Sequence, residues 1–507
     1  MATAAASRAL SPTEAGLGKR ASSTREPTLG RETYLGIDVG TGSTKAVLVD
    51  QQGAVLRSAS ARHEISSPRP GWTESDPATW WSAVQGAVRT VTAGGDESIG
   101  AIGLSGQMHG AVLVDREGGP VRPAVIWSDQ RAMDAARLYK GLPAKRRQRL
   151  GNPFVPGMTG PVLCWLAEHE PAKYAKAAWF LQGKDWVRSQ LTGDVQTDPS
   201  DASGTLLYDQ KAQVFDLVLM AGLGLRPELA PPVAASSSVA GALGAAASAA
   251  LGLRAGLPVA VGAADTAAAL LATGLGRSGG LQLTVGSGAQ VVAPRESPAP
   301  DPRRRYHVFA AATPAQWYAL AAVQAAGLAL EWVLANLRAS WEEAYTALEE
   351  VPAGSGTPVF LPHLAGSRAP GMDPHQRAVF AGVNLQHGRA HLLRAALEGV
   401  AFSIKAAASA LPEFAHTAQL WLAGGGTQVA AWRQLLADSL ERRLDLVAAP
   451  DASARGAAIL ALAAVSGSSP EIAPPAVQQV TQPRDRESRL LAASWQRWQV
   501  LDALRLQ

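Results

Sequence analysis

One pattern is written twice in this chain. The segment IDVGTGSTK (37–45) runs an apolar strand into a glycine turn and out into a second strand, and TVGSGAQVV (284–292) does the same about half a chain later. Each copy is followed by more strands and then a helix. Glycine permits the turn conformations that other residues resist, and apolar runs on either side read as paired strands. A unit repeated at that distance points to two similar α/β domains, made by duplication, that face each other across a cleft. The length agrees, because 507 residues exceed one ordinary core.

Turn residues and apolar runs place strands at 34–39, 44–49 and 54–60. A helix over 76–91 follows, with Asp76 as N-cap and Pro77 at its first position. Further strands fall at 99–104 and 111–114, and at 259–263, which leads into a helix over 266–273. The second copy gives strands at 280–285 and 289–293, a hairpin over 308–320 and a helix over 324–336. Strands at 359–361 and 419–423, a helix at 391–409 and another after Gly424-Gly425-Gly426 complete it. The break between domains falls near 274–280, so 34–278 is the N-terminal domain and 279–467 the C-terminal one. Proline and serine mark 468–483 as a linker before a closing helix at 486–506. Residues 1–33, rich in Ala, Ser and Arg without an apolar core, read as a disordered leader.

Composition narrows the function. A net charge of +4 is small for this length, and the densest basic cluster, Arg303-Arg304-Arg305, is short. That argues against a nucleic-acid partner. The most apolar long window, Val233–Leu253, is mostly Ala, Ser and Gly, which is too weak for a membrane span. A single cysteine, Cys164, allows neither an internal disulfide nor a thiolate metal cage, as expected of a cytoplasmic protein.

The chemistry-bearing candidates are few. No GxxxxGK[ST] loop is present, and a GxGxxG match at Gly274–Gly279 follows a helix rather than a strand, the wrong context for a dinucleotide. In the first hairpin, Gly40, Thr41, Gly42, Ser43, Thr44 and Lys45 offer backbone N–H groups, hydroxyls and a cation to phosphate oxygens. Asp38 at its edge suits Mg²⁺ held through water. Gly286, Ser287 and Gly288 form the second hairpin, and two such hairpins can clamp a polyphosphate from both sides. Gly424, Gly425, Gly426 and Gln428 join a strand to a helix where a flat base could lie close. Small residues at 453–458 open a helix suited to close contact between domains. Asp265 stands alone where an apolar strand meets an Ala-rich helix. Read locally, it is a fair N-cap.

Taken in order, these pieces resemble the FGGY carbohydrate kinases of the actin-like ATPase superfamily, over nearly everything from Tyr34 to Gly467. AVFAGVNLQHGRAHLLRAALE (378–398) is similar to that family's C-terminal signature. GWTESDPATWW (71–81), GQMHG (106–110), RPAVIWSDQR (122–131), KDWVRSQLTG (184–193) and SDASGTLLYD (200–209) look like its xylulose-phosphorylating branch. The resemblance implies two duplicated ribonuclease H-like domains, MgATP, a sugar acceptor and closure on substrate, and it admits a homodimer. It implies that Asp265 is the base that takes the sugar proton, with Asp38 as the second catalytic carboxylate. It gives the sugar to Gln107, Met108, His109, Trp127, Asp129 and Thr266 together with Asp265.

Three positions depart from the family pattern. Thr266 stands where an Asn commonly follows the catalytic Asp. Gly366-Ser367-Arg368-Ala369-Pro370 replaces Gly-Glu-Arg-Thr-Pro and so lacks a carboxylate, and Val285-Gly286-Ser287-Gly288 replaces a Gly-Thr-Ser-Gly hairpin. The resemblance makes D-xylulose the expected substrate, and these departures make another ketopentose, gluconate or a polyol its rival. A more distant rival is an ATP- or sugar-driven switch that transfers nothing.

Overall fold

The computed structural model describes residues 32–504 apart from 96–97, 276–279, 469–471 and 473. Residues 1–31 of the expected leader, and the centre of the expected domain break, lie outside the described residues.

The first sheet grows from its hairpin. β1 (Glu32–Val39) and β2 (Ser43–Val49) pair antiparallel around the glycine turn, and β3 (Val55–Arg62) adds antiparallel to β2. Residues 33–37 of β1 are all buried, so both faces of the strand need cover. Helix α1 (Pro77–Thr92) covers one face with Trp80, Val84, Val88 and Val91. Asp76 caps it, accepting from the Ala78 N–H, and Pro77 opens it as expected. The α1 crossover lets β4 (Ser98–Gly106) run parallel to β1. α2 (Gly183–Thr192) then leads to β5 (Val239–Ala242), β6 (Pro258–Ala260), β7 (Ala263–Ala264) and α3 (Asp265–Thr273). The strand order is β5-β6-β4-β1-β2-β3, with β7 also on β4.

The second sheet repeats the first. β8 (Leu281–Val285) and β9 (Ala289–Arg295) form its hairpin, and β10 (His307–Ala310) and β11 (Trp317–Val323) follow. After α4 (Gly327–Leu337) and α5 (Arg389–Ala410) come β12 (Gln419–Ala423), α6 (Ala430–Leu440) and β13 (Arg443–Val447). α7 (Ala452–Ser466), β14 (Val477–Thr481) and α8 (Asp485–Ala503) close the chain. The order is β10-β11-β9-β8-β12-β13-β14. Setting β3-β2-β1-β4-β6-β5 against β11-β9-β8-β12-β13-β14 matches every pairing direction, with β7 added to the first sheet and β10 to the second. The duplication expected from two glycine turns is thus a duplication of topology.

Four expectations are corrected. The strand expected at 259–263 breaks at Gly262, whose φ of +89° turns the chain between β6 and β7. The hairpin expected over 308–320 is present, β10 pairing antiparallel with β11, but the following helix starts three residues late, at Gly327. The linker expected over 468–483 contains β14, which pairs along the open edge of β13. Packing also does not follow the chain division at 279–467. α7 lies on the first sheet, where Ala454, Ala458, Ala461 and Leu462 meet Tyr34, Val47, Val49 and Ala101. A Cβ on Gly36 would stand 2.0 Å from the Ala454 carbonyl oxygen, and one on Gly103 1.9 Å from that of Ala457. The helix backbone therefore rests directly on the backbone of β1 and β4.

Candidate active site

Both hairpins sit at the carboxyl ends of parallel strand pairs, where open α/β sheets place their ligands. Asp38, next to last in β1, lies in register with Ser105 of β4, and Ser105 Oγ donates to its Oδ1 at 2.9 Å. Lack of solvation raises the Asp38 pKa, against the Ser105 hydrogen bond and the Lys45 charge. Lys45 Nζ reaches Asp451 Oδ1 at 2.9 Å, so it ties the first hairpin to the start of α7. Thr44 corrects the expectation for that hairpin. Strand alternation turns it inward, where its hydroxyl is buried without a partner, so it faces no phosphate. Gly40, Thr41, Gly42 and Ser43 stay at the surface of the turn, and Thr41 Oγ1 accepts from the Trp127 indole at 3.0 Å.

In the second half, the Gly286 and Ser287 carbonyls accept from Ala326, Gly327 and Leu328 N–H groups and so close the start of α4. Gly424, at φ +104°, packs so tightly that a Cβ would lie 2.2 Å from the Val285 carbonyl oxygen. That contact brings Gly424–Gly426 against the second hairpin. Gly286 and Gly425 face open space, Gly288 backs onto β11, and Gln428 is exposed at the same rim.

β7 pairs with the end of β4, Ala263 with Ser105 and Ala264 with Gly106, which delivers Asp265 beside the loop 107–110. Asp265 is not the N-cap. Ala264 holds the cap position and Asp265 is the first helical residue, partly open to the cleft. Its Oδ1 accepts from the Thr266 N–H at 2.6 Å and Thr266 Oγ1 at 3.2 Å, so the Thr266 hydroxyl is turned onto the carboxylate. No cation pairs with Asp265 among the described residues. Desolvation, with the Asp38 charge second, raises its pKa to about 7.

The loop supplies the rest. Gln107 Nε2 donates to the Gly40 carbonyl at 3.3 Å and so braces the first hairpin. Met108 Sδ lies 3.6 Å from the Tyr318 hydroxyl, and His109 lies 5.7 Å from the Phe309 ring. Both of those partners come from the second half. His109, at φ +68°, has Nδ1 2.9 Å from the Gly204 carbonyl. Nδ1 must then carry the proton, which leaves Nε2 as an acceptor. Burial lowers the His109 pKa to about 4, so the ring is neutral at ordinary pH. Asp129 corrects an expectation. It is 1% exposed, and its oxygens are taken by Arg131 Nε at 2.9 Å, Arg131 Nη2 at 2.8 Å and the Thr73 N–H at 2.6 Å. It shapes the wall below Trp127 and offers no free oxygen.

The motifs at 184–193 and 200–209 form a buried support. Lys184 Nζ meets Asp185, Asp198 and Asp201 at 2.6, 2.9 and 3.1 Å, and Arg188 meets Asp185 at 2.7 Å. Asp198 caps the turn 199–202, whose Ser200 Oγ accepts from the Ala264 N–H at 2.8 Å. Gly204, the partner of His109, follows that turn and donates its N–H to the Asp201 carbonyl at 2.9 Å, so one buried cluster sets both the carboxylate and the histidine. Sequence reasoning missed Ser105, Phe309 and Tyr318, whose only signal is long-range contact. It also missed Gln324 and Arg368 at the cleft, although the segment 366–370 stood out by its departure.

The models of the FGGY family of carbohydrate kinases match in both halves, the N-terminal domain over residues 33–272 and the C-terminal domain over 281–465. The chain is 33% identical to a xylulose kinase of Escherichia coli (strain K12) over 84% of this chain and 89% of that protein. It is 32% identical to one of Klebsiella pneumoniae over 89% and 95%. Among solved structures, a xylulose kinase from Rhodospirillum rubrum is similar at TM-score 0.83 and 30% identity, covering 93% of this chain and 98% of that one. A gluconate kinase from Lactobacillus acidophilus is similar at TM-score 0.85 and 25% identity, covering 94% and 98%.

Proposed function

The chain belongs to the FGGY family of carbohydrate kinases and is a phosphotransferase, and we propose that it phosphorylates D-xylulose with MgATP, using Asp265 as general base. The observation that carries this is Asp265 itself: a cation-free carboxylate at the cleft, its pKa raised to about 7, next to the loop that presents Met108 and His109. A group ionising there is half deprotonated near neutrality yet basic enough to accept a hydroxyl proton.

The sugar hydroxyl attacks the terminal phosphorus of ATP as its proton passes to Asp265. The new O–P bond forms while the bond to the bridging oxygen breaks, and ADP leaves with that electron pair. The chain's part is placement and charge. His109 Nε2 accepts from a sugar hydroxyl, Met108 and Trp127 form apolar walls, and Thr266 holds the Asp265 carboxylate in orientation. The two hairpins flank the phosphates and Gly424–Gly426 meets the base. Asp38, with Oδ2 free of protein donors and no cluster of ligating side chains among the described residues, fits an ion that keeps most of its water. Such an ion, when bound, neutralises charge on the phosphates. A reducing cytoplasm suits the single, buried thiol of Cys164.

A coupled ADP-release assay over D-xylulose, D-ribulose, D-gluconate and glycerol tests the substrate. The expected result is the highest kcat/KM for D-xylulose. The gluconate kinase likeness and the Thr266 substitution make D-gluconate the sharpest competitor, and a preference for it would overturn the proposed substrate. Asp265→Asn is expected to lose ~10²–10⁴-fold in kcat. Undiminished turnover in that variant would overturn the base.

A further inference from the structure

A cavity of about 90 Å³ opens between the two halves, lined by Trp127, Met133 and Phe154 from the first and by Gln324, Arg368 and Met372 from the second. Two charged residues reach its wall, Asp129 and Arg368. Asp129 is neutralised by Arg131. Arg368 has no carboxylate within ion-pair distance among the described residues, and its Nε donates to Gln324 Oε1 at 3.0 Å. That leaves two Nη groups without a protein acceptor among the described residues.

The loop that carries Arg368 is fixed. Ala369 N–H donates to Ala322 of β11 at 3.0 Å, Met372 N–H to the Arg368 carbonyl at 2.8 Å, and Ser367 N–H to Asp373 at 2.7 Å. Burial lowers the Arg368 pKa to about 10, which still leaves a full cation at neutral pH. His109 and His307 both feel the charge of Arg368. Trp127 lines the same cavity, and β11, which holds the Arg368 loop at Ala322, also carries Tyr318 against Met108, so the guanidinium stands on the Met108–Trp127 side of the site.

We propose that Arg368 binds the substrate and sets its specificity, its two Nη groups gripping a pair of adjacent oxygen acceptors at the end of the sugar remote from the hydroxyl that Asp265 deprotonates. A planar guanidinium suits paired planar oxygens and suits an isolated hydroxyl poorly. The hydroxyketone end of a ketose presents such a pair, and so does the carboxylate of an aldonate. A polyol presents neither. This inference rests on the reading of Asp265 as the base.

The test is steady-state kinetics of the full chain, with D-xylulose, xylitol and D-gluconate as acceptors, for the wild type, Arg368→Met and Arg368→Lys. Arg368→Met is expected to raise KM for the preferred acceptor by roughly 10–100-fold, the range for losing hydrogen bonds from a charged group. KM for ATP should stay within about twofold and the unfolding temperature should hold, as a purely structural role would not allow. The preference over xylitol should shrink by the same factor, and Arg368→Lys should recover part of the loss. If Arg368→Met does not fold, the decision falls on Arg368→Lys, whose acceptor KM must rise. An unchanged acceptor KM overturns the proposal, and so does a rise confined to ATP, which would assign the guanidinium to the phosphates. If the wild type prefers D-gluconate and Arg368→Met abolishes that preference, Arg368 keeps its role and D-xylulose is lost as substrate. If D-xylulose turnover is normal and indifferent to Arg368, the reverse holds.

Discussion

As the proposed base, Asp265 would act only when ionised, and its surroundings resist ionisation. With the pKa raised to about 7, log kcat/KM for the sugar should climb with a slope near one as pH rises to neutrality and then level off. His109, neutral down to about pH 4, adds no second limb to that profile. A rate flat between about pH 5.5 and 7.5 would remove Asp265 from the role of base. The same shift has a cost in stability whose sign follows from linkage. Below about pH 4 the carboxyl is neutral both folded and unfolded and costs nothing. From there to about 7 the unfolded chain ionises while the folded one stays protonated, so stability falls as pH rises, and above that the cost is constant. Asparagine has no proton to lose. Asp265→Asn should therefore unfold at a higher temperature than the wild type at pH 8, by an amount on the order of 1–3 kcal/mol, and at the same temperature near pH 4. Thermal unfolding at the two pH values decides. A variant no more stable at pH 8 would mean that the carboxylate sits in an unstrained, well-solvated place.

Helix α7 links chemistry to architecture, because it covers the first sheet and also crosses α3, which begins at Asp265. At that crossing a Cβ on Gly456 would stand 1.9 Å from the Ala268 carbonyl oxygen. Gly456→Ala must push the helices apart, and it should destabilise by roughly 1–3 kcal/mol and lower kcat by shifting Asp265. Gly141, at the end of a short surface helix with nothing within 4 Å of its Cβ position, is the control whose Ala variant should change neither. Equal effects at the two sites would mean that the crossing is not tight. The reason these elements were only partly legible in sequence is visible here. Local signals were sufficient for the hairpins, for Asp76 and Pro77 at the start of α1, and for α5 and β12, because turn chemistry and periodicity act within a few residues. Small residues at 453–458 announced a close contact, but not that the helix would lie across the other sheet. β14 was hidden in a segment rich in proline, since an edge strand is decided by the open edge it meets. In the candidate site, glycines or apolar runs drew attention to Asp265, Asp38, Met108 and His109, and the family resemblance, not the local pattern, supplied the roles expected of Asp265, Met108 and His109. Asp129 misled, because the Arg131 that occupies it is itself part of the motif. Ser105, Phe309 and Arg368 were invisible as site residues, because what distinguishes them is which distant atom they face.

At the scale of the whole molecule, two topologically equal halves are pinned together at some places and left apart at others. β10 is pinned to the first half through Asn152 Oδ1, which accepts from the Val308 N–H at 3.0 Å, and Ser203 Oγ, which accepts from that of Ala310 at 3.0 Å. α7 is pinned through Arg455, whose Nε donates to the Gly53 carbonyl at 2.7 Å and whose Nη1 donates to that of Ala272 at 3.0 Å. Elsewhere the halves border the cavity bounded by Trp127 and Phe154 on one side and by Arg368 and Met372 on the other. The contacts at β10 and α7 can serve as the axis, and the cavity walls as the surfaces that approach. Phosphoryl transfer gives a reason for such motion, since water near the terminal phosphate competes with the sugar for it. Sugar together with a non-hydrolysable ATP analogue should therefore lower the radius of gyration measured by small-angle scattering, more than either ligand alone. Lys45→Met cuts the part-exposed pair with Asp451 that runs from the first hairpin to α7. A pair that open to solvent is worth about 1 kcal/mol or less, so overall stability should barely change. The hairpin, no longer tethered, should show a raised KM for ATP and a smaller contraction on adding both ligands. A radius of gyration unmoved by sugar and analogue together would mean that the site is already formed in the free protein. The cavity between the halves would then be a fixed pocket, and the two hairpins would not close on the nucleotide at all.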